Sequence, residues 1–565
     1  MMKTILNLTA LSGILVIGGC NLAPHYEAPK ADSSGTFKEA VPGNISAEGW
    51  KVAEPRDSEI RGNWWEMYND PDLNELEARV AISNQTVAAA EANYRAARAL
   101  VEEAQAALFP TVLVEPSVVR SRSSASGGNP VVSSSTSSGA TSTTASTTSA
   151  NENNGNGSTR TTYTLPLEAS YEVDLWGSVR NQVAENRYAA QASAAQVATA
   201  LLSTQNQLAQ TYFELRAVDE QRRILDTTLA DFQASLYLVR TLFHNGLASD
   251  EDLAEADNQL DSAMSQAIDL GISRAQFEHA IAVLIGVPPA KFSMAIRPFN
   301  PALPVVPVGL PADLLERRPD IAAAERQVAA TNAAIGIARA AYFPNLTLSA
   351  SAGFESTALS QLFDWPNRFW SFGPELAQIL FDGGAHNAAI DQARALNEAA
   401  AANYRQAVLT AFQSVEDNLA ALRILSQEIL QQHNATVAAQ HSVELSVIRY
   451  KNGLDSYVNV ITEQNSFLTS REAELQVQLR QVTASLNLVN GLGGGWSRSD
   501  WGQTEKMAQH PPGAGKEPEV PSQDAGAGIP NPPPLANQSV LPEDLLKQNQ
   551  EDMAPAPAPP SATAH

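Results

Sequence analysis

The residues able to do chemistry are few, and their spacing excludes most reactions. The 565-residue chain carries no HExxH, GxSxG or GxxxxGK[ST] pattern, and its eight histidines are scattered. No catalytic constellation, metal centre or cofactor is therefore expected, and the chain reads as a non-enzyme. The glycine-rich stretch Gly491 to Gly495 follows a helical pattern rather than a strand, the wrong context for a phosphate cradle. A single cysteine, Cys20, excludes an internal disulfide. Lys3, the apolar run Ile5 to Ile17 and the small pair Gly18-Gly19 precede it, which predicts a signal segment over 1–19. A thiol directly after Ile17-Gly18-Gly19 fits a lipobox, in which the sulfur takes a diacylglycerol and Cys20 becomes the lipid attachment point. A buried cysteine beside an ordinary cleavage site is the alternative.

The other polar residues of interest sit in a pattern rather than a cluster. Thr164, Glu168, Glu172 and Asp174 alternate with Tyr163, Leu165, Leu167, Ala169, Tyr171, Val173 and Leu175. Leu346, Leu348, Ala350, Ala352 and Phe354 alternate in the same way with Thr347, Ser349, Ser351 and Gly353. One apolar and one acidic or hydroxylated face over about 10 residues is the pattern of a membrane β-strand, lipid on one side and water on the other. Trp176, Trp365, Phe369 and Trp370 near the strand ends suit an aromatic girdle. A half-buried strand of a soluble sheet has the same alternation. The segments from Thr111 and from Phe369 alternate less cleanly.

These strands lie within a duplication. Leu108-Phe109-Pro110-Thr111 recurs as Tyr342-Phe343-Pro344-Asn345, an offset of 234 (344 − 110). Asp174-Leu175-Trp176-Gly177 has its counterpart in Leu380-Phe381-Asp382-Gly383 at 206, and Asn245-Gly246-Leu247 in Asn452-Gly453-Leu454 at 207. The first copy therefore holds about 28 extra residues, where a loop over 123–160 is Ser/Thr-rich. The predicted organisation is a signal over 1–19, a lipidated extension over 20–62, a first repeat over 63–300 and a second over 301–496. Strand pairs are expected near 111–122 with 161–176, and near 345–356 with 369–381. A Pro-rich tail over 497–565 carries 13 prolines from Pro511 onward and is expected to be disordered.

Each strand pair leads into helix. Glu75 to Leu108 and Ala322 to Tyr342 are Ala-rich and end at Phe-Pro. Ser178 to Phe243 runs 66 residues without proline or glycine, which at 1.5 Å per residue reaches about 100 Å. Gly246 and Gly453 mark reversals into further helices over Asp250 to Ile285 and Tyr457 to Val489. Such helices need lateral partners along their length, which a fibrous coiled coil also supplies. Four strands cannot close a barrel, and an open edge in lipid leaves backbone groups unpaired at several kcal/mol each. Two copies would supply eight strands, whose interior side chains fill, and three would supply twelve; the polar face suits a wet lumen and favours three. With 61 acidic against 37 basic side chains the formal charge is −24, which argues against nucleic-acid binding and suits a cation-favouring lumen.

In combination the landmarks resemble the TolC superfamily of outer-membrane efflux lipoproteins, in its OprM-like (NodT) branch. They are Cys20 with Ala23-Pro24-His25-Tyr26, Trp64-Trp65 with Asn69-Asp70-Pro71-Asp72-Leu73, and Glu172-Val173-Asp174-Leu175-Trp176-Gly177. Leu310-Pro311, Asp313 to Asp320, Ala340 to Pro344, Phe381-Asp382-Gly383-Gly384, Val415-Glu416-Asp417-Asn418 and Leu492 to Trp496 complete the set. The resemblance implies an α+β membrane protein: a homotrimer with a 12-stranded outer-membrane β-barrel, four strands per chain, continuous with a periplasmic α-helical barrel. It implies the exit duct of a tripartite pump, working with a periplasmic adaptor and an inner-membrane RND-type transporter. Asn21 rather than Asp after the cysteine implies outer-membrane sorting. It further implies a gate at the helix reversals, where the Tyr450 hydroxyl bonds Asp252 to hold the aperture shut. Asn459 stands where TolC has a constriction acid and Asp455 where it has an arginine, so the expected lock lacks one cation. The competing expectation is a structural or adhesive coiled-coil lipoprotein.

Overall fold

The protein is described from a computed structural model covering residues 21–30, 37–39, 63–122, 159–304 and 317–494. The signal, Cys20, most of the 20–62 extension, residues 123–158 of the Ser/Thr-rich loop and the tail lie outside the described residues. The longest elements are helices α3 (Ser178–His244) and α6 (Ala385–Lys451), each of 67 residues. Each reverses into a helix of 35 residues, α4 (Asp250–Leu284) and α7 (Tyr457–Gly491). The paired starts lie 207 residues apart (385 − 178), so the residue structurally equivalent to Gly177 is Gly384 rather than the Gly383 of the sequence alignment.

Both reversals are closed by backbone geometry that glycine makes easy. Gly246 has φ 73° and Gly453 φ 68°, left-handed values that a Cβ would strain. The Leu247 amide donates to the Leu242 carbonyl at 2.8 Å, and the Leu454 amide to Arg449 at 2.9 Å. These bonds satisfy carbonyls that the helix end would leave orphaned.

The shorter helices α1 (Pro71–Ser83), α2 (Gln85–Ala106) and α5 (Pro319–Ala340) pack against α3. The continuous helix expected over Glu75 to Leu108 is broken at Asn84. Its side chain caps α2 by accepting from the Thr86 amide at 2.8 Å, and its Nδ2 donates to the Leu284 carbonyl at 2.7 Å. A local cap plus a tertiary bond therefore overrides helix propensity.

The largest core lies midway along α3, where Trp64, Trp65, Leu73, Leu208, Tyr212, Leu215, Ile281 and Leu486 cluster. Each fully buried Leu or Ile contributes about 1.5–3 kcal/mol. A charged network closes one side of this core. Arg216, 3% exposed, meets Asp72 at 3.0 Å and Asp219 at 3.3 Å, and Arg274 reaches Asp219 at 2.8 Å. Residues 21–30 lie against the second copy. Tyr26 donates to Glu325 Oε1 at 2.6 Å, and Asn332 Nδ2 donates to the Pro24 carbonyl at 2.9 Å. Gly336 permits this approach, since a Cβ there would come within 2.7 Å of Ala23 Cβ.

The strands form one antiparallel sheet. Strands β1 (Thr111–Val114) and β2 (Ser117–Arg122) both pair with β3 (Thr159–Val173), which pairs with β4 (Asn345–Ser356), which pairs with β5 (Arg368–Ala377). Strands β1 and β2 are one strand in register, interrupted at Glu115-Pro116, because Pro116 has no amide to donate. The sheet thus has four strand positions and two open edges. No described helix is long and apolar enough to cross a membrane.

Candidate functional site: two sheet faces and two helix reversals

The register sorts the sheet into two faces. Ala169, Ala350 and Phe372 share one row with Val112, and Leu167, Ala352 and Trp370 share the next with Val114. This face also carries Leu165, Leu346, Leu348, Phe354 and Leu376, and in the single chain Trp370, Phe372 and Leu376 stand exposed. The opposite face holds Thr164 opposite Glu355, and Glu168 opposite Ser351. Ser351 in turn faces Ser371, their hydroxyls 2.8 Å apart. Glu172 and Glu375 flank Thr347 in one row. Glu355 was not singled out in the sequence because the alternation of β4 was followed only to Phe354, and Glu375 because β5 alternates poorly when read alone. Only the pairing with β4 assigns its faces.

Asp174 is a correction. It was expected on the water-facing strand, but β3 ends at Val173. The Asp174 carboxylate instead accepts from the Val179 and Arg180 amides at 3.1 Å each, and pairs with Arg180 Nε at 2.9 Å. A carboxylate at a helix start satisfies orphaned amides and complements the dipole, and here that local bonding ends the strand. Asp382 does the same for α6, accepting from the Gly384 and His386 amides and contacting the His386 ring. These bonds hold the Asp382 pKa down to about 2. Beside this junction Trp176 stacks on Phe343 at 4.6 Å and donates to the Pro344 carbonyl at 2.9 Å.

At the far end, the structure gathers Asp252, Tyr450, Asp455 and Asn459 around the reversals, with a different bonding from that expected. The Asp252 carboxylate accepts from the Ser249 amide at 3.1 Å in a capping box with its own helix. The Tyr450 hydroxyl is buried without a hydrogen-bond partner. Its ring packs 5.2 Å from Tyr457, and burial together with the nearby Asp252 charge raises its pKa. Asp455 accepts from the Ser456 amide at 3.0 Å and from the Asn459 side chain, and pairs with Arg449 Nε at 3.2 Å. Arg449 thus supplies a cation that the sequence reading found missing. It stands four residues before Gly453 rather than two after, so alignment by the glycine passed over it.

A sheet with one apolar and one polar face, open at both edges and joined to helix pairs about 100 Å long, defines an outer-membrane channel of the TolC type with an α+β fold. The comparisons agree. A sequence model of the outer membrane efflux protein family matches residues 76–287 and 310–494, and the chain belongs to that family. It is 30% identical over 513 residues to the antibiotic efflux pump outer membrane protein ArpC of Pseudomonas putida, covering 90% of this chain and 99% of that one. It is also 30% identical over 504 residues to the pyoverdine export outer membrane protein OpmQ of Pseudomonas aeruginosa, covering 88% and 99%. Among solved structures, the outer-membrane channel OprN matches with a TM-score of 0.73 and 26% identity, over 84% of this chain and 100% of that one. The open state of the Neisseria gonorrhoeae MtrE outer membrane channel matches with a TM-score of 0.69 and 28% identity, over 85% and 99%. The chain is therefore the outer-membrane component of an efflux system, with a large periplasmic part. The adhesive coiled-coil reading falls, since it accounts for neither the sheet nor the family.

Proposed function

We propose that three copies of this chain close into one twelve-stranded barrel continued by the long helices. This tube is a passive exit duct for small molecules handed over by a periplasmic adaptor and an inner-membrane RND-type transporter. The observation that carries the reading is the two-faced sheet with two open edges. In lipid each unpaired edge group costs several kcal/mol, and only closure with further copies removes that cost. Twelve strands leave a water-filled lumen, where eight would be filled by side chains. Thr164, Glu168 and Glu172, with Glu355 and Glu375, face this lumen and favour cations. Cys20 is the lipid attachment point in the outer membrane. The reversals at Gly246 and Gly453 form the periplasmic gate, lined by Asp252, Asp455 and Asn459 and braced by Tyr450 and Arg449. Adaptor docking opens it by binding the open arrangement more tightly than the closed one.

The test is the purified full-length chain in a planar lipid bilayer. The expected result is a particle of three-copy mass carrying current, with a reversal potential displaced toward that of the cation in a salt gradient. A single-copy particle without current overturns the reading.

A further inference from the structure

The duplication carries a template for what lies beyond the open edges, and it holds to the residue. Pro110 and Pro344, ahead of the first strand of each copy, are 234 residues apart (344 − 110), and the long helices are 207 apart (385 − 178). The strand pairings fix the same relation independently. In the first hairpin Thr111 pairs with Ser170 and Ser117 with Thr164, so paired numbers total 281. In the second hairpin Asn345 pairs with Ala377, a total of 722. The difference, 441 (722 − 281), equals the two offsets taken together. The first strand of each copy is thus displaced by 234 and the second by 207, with no slip.

Within the chain, the second strand of copy one pairs with the first strand of copy two, setting Val173 opposite Leu346 and Glu168 opposite Ser351. The pairing that one chain lacks is its converse, the second strand of copy two with the first strand of copy one. Displacing Val173 by 207 gives Leu380, and displacing Leu346 back by 234 gives Val112. Closing the ring read above requires β5 to pair antiparallel with β1 and β2 of the neighbouring copy, and resting on that trimeric reading we propose the register of this pairing. The register sets Leu380 opposite Val112, Glu375 opposite Ser117 and Trp370 opposite Arg122, repeating what β3 and β4 do inside the chain.

The faces agree with this register, and one feature outside the derivation supports it. Parity is kept throughout: Pro374 meets Val118 on the apolar face, and Glu375 meets Ser117 on the polar face. A one-residue slip would turn one strand's apolar face to water. The register also accounts for where β5 stops. Strand β3 runs over Thr159–Val173, and the same span displaced by 207 is 366–380, yet β5 ends at Ala377. Leu380 just beyond that end is 93% exposed and Phe381 91%, while Val112 and Val114 on the opposite edge are also exposed. In the closed ring residues 378–380 extend β5 along β1 of the next copy. Because the two edges differ, the contact is heterologous and closes as a ring.

The register is tested by oxidative cross-linking of the full-length trimer. The chain with Glu375→Cys and Ser117→Cys, both facing water, is expected to run as a covalent trimer on a denaturing gel without reductant. The slipped pair Glu375→Cys with Val119→Cys, a diagonal about 7–8 Å apart, and a control with Cys20 alone are expected to stay largely monomeric. Preferential linking of the slipped pair, or no link in a particle of three-copy mass, overturns the register and leaves the trimer standing. A particle of single-copy mass overturns the trimer as well. A measurement without substitutions covers the strand extension: amide exchange at Gln378 to Leu380 in the unmodified trimer should be as slow as at Tyr171 to Val173. Exchange as fast as at a frayed strand end overturns it.

Discussion

Arg449 Nε lies 3.2 Å from Asp455 Oδ2, so one ion pair spans the Gly453 reversal and ties the last turn of α6 to the start of α7. Arg449 is largely exposed, and such pairs contribute only about 0–1 kcal/mol to stability. Its consequence lies in the geometry of the tip, because Asp455 also holds Ser456 and Asn459. Losing the cation frees a carboxylate on the part of the molecule proposed to move. Tyr450, one residue along, contributes its ring alone, since its hydroxyl has no partner.

Arg449→Ala is therefore expected to raise the conductance of the isolated trimer in a planar bilayer at low salt. The difference from the parent should shrink at 1 M salt, where the Debye length falls to about 3 Å. Tyr450→Phe keeps the ring contact with Tyr457 and removes no hydrogen bond, so its conductance should match the parent. An unchanged current in Arg449→Ala removes the ion pair from the gate. A raised current in Tyr450→Phe shows instead that the hydroxyl reaches Asp252 in the assembled closed tip.

Glu77 on α1 gives a pH dependence of definite sign. It is 0% exposed, neither carboxylate oxygen has a hydrogen-bond partner, and burial pushes its pKa up to about 9. The folded chain therefore keeps a proton there that the unfolded chain gives up near pH 4.5. Stability from this group is complete below about pH 4.5 and falls by about 1.4 kcal/mol per pH unit as pH rises toward 9. Glu77→Gln, which cannot ionise, is expected to unfold with the parent at pH 4.5 and to be several degrees more stable at pH 8, followed by helix signal on heating. Equal midpoints at pH 8 would mean that Glu77 is ionised and paired in the assembly.

What the sequence disclosed and what it hid divide along the range of the interaction. The alternation of Leu165, Leu167 and Ala169 with Glu168 and Ser170 is a property of one strand, so the faces of β3 were legible without partners. The reversals at Gly246 and Gly453 were legible because glycine marks a backbone conformation rather than a contact. Asn84 was misread as mid-helix, since the carbonyl that holds its Nδ2 belongs to Leu284, 200 residues away. The Arg216 network was invisible for the same reason, because Asp72 lies 144 residues from Arg216 and no periodicity links them. Asp174 was misassigned because its alternation matches a strand, while its bonds to the amides of α3 were not visible in the spacing.

Glu416 shows the same gap between a motif and its job, and it leads to a test. The sequence marked Val415-Glu416-Asp417-Asn418 without assigning the acid a role. In the structure its carboxylate grips the amino-terminal segment, Oε1 accepting from the Lys38 amide at 2.6 Å and Oε2 from the Glu39 amide at 2.9 Å. Phe37 is buried in the main core beside this clasp, and Arg423 meets Glu39 at 2.6 Å. Hydrogen bonds to a charged acceptor are each worth about 1.5–3 kcal/mol, and each 1.4 kcal/mol is tenfold in an opening equilibrium. With both bonds lost, Glu416→Ala should therefore speed tryptic cleavage after Lys38 by roughly 100–10,000-fold, while the unfolding midpoint of the helices stays near that of the parent. Glu416→Gln, whose single amide oxygen can serve fewer donors, should fall between the two. Cleavage at the parent rate in Glu416→Ala would show that Phe37 and Arg423 hold the segment without the carboxylate.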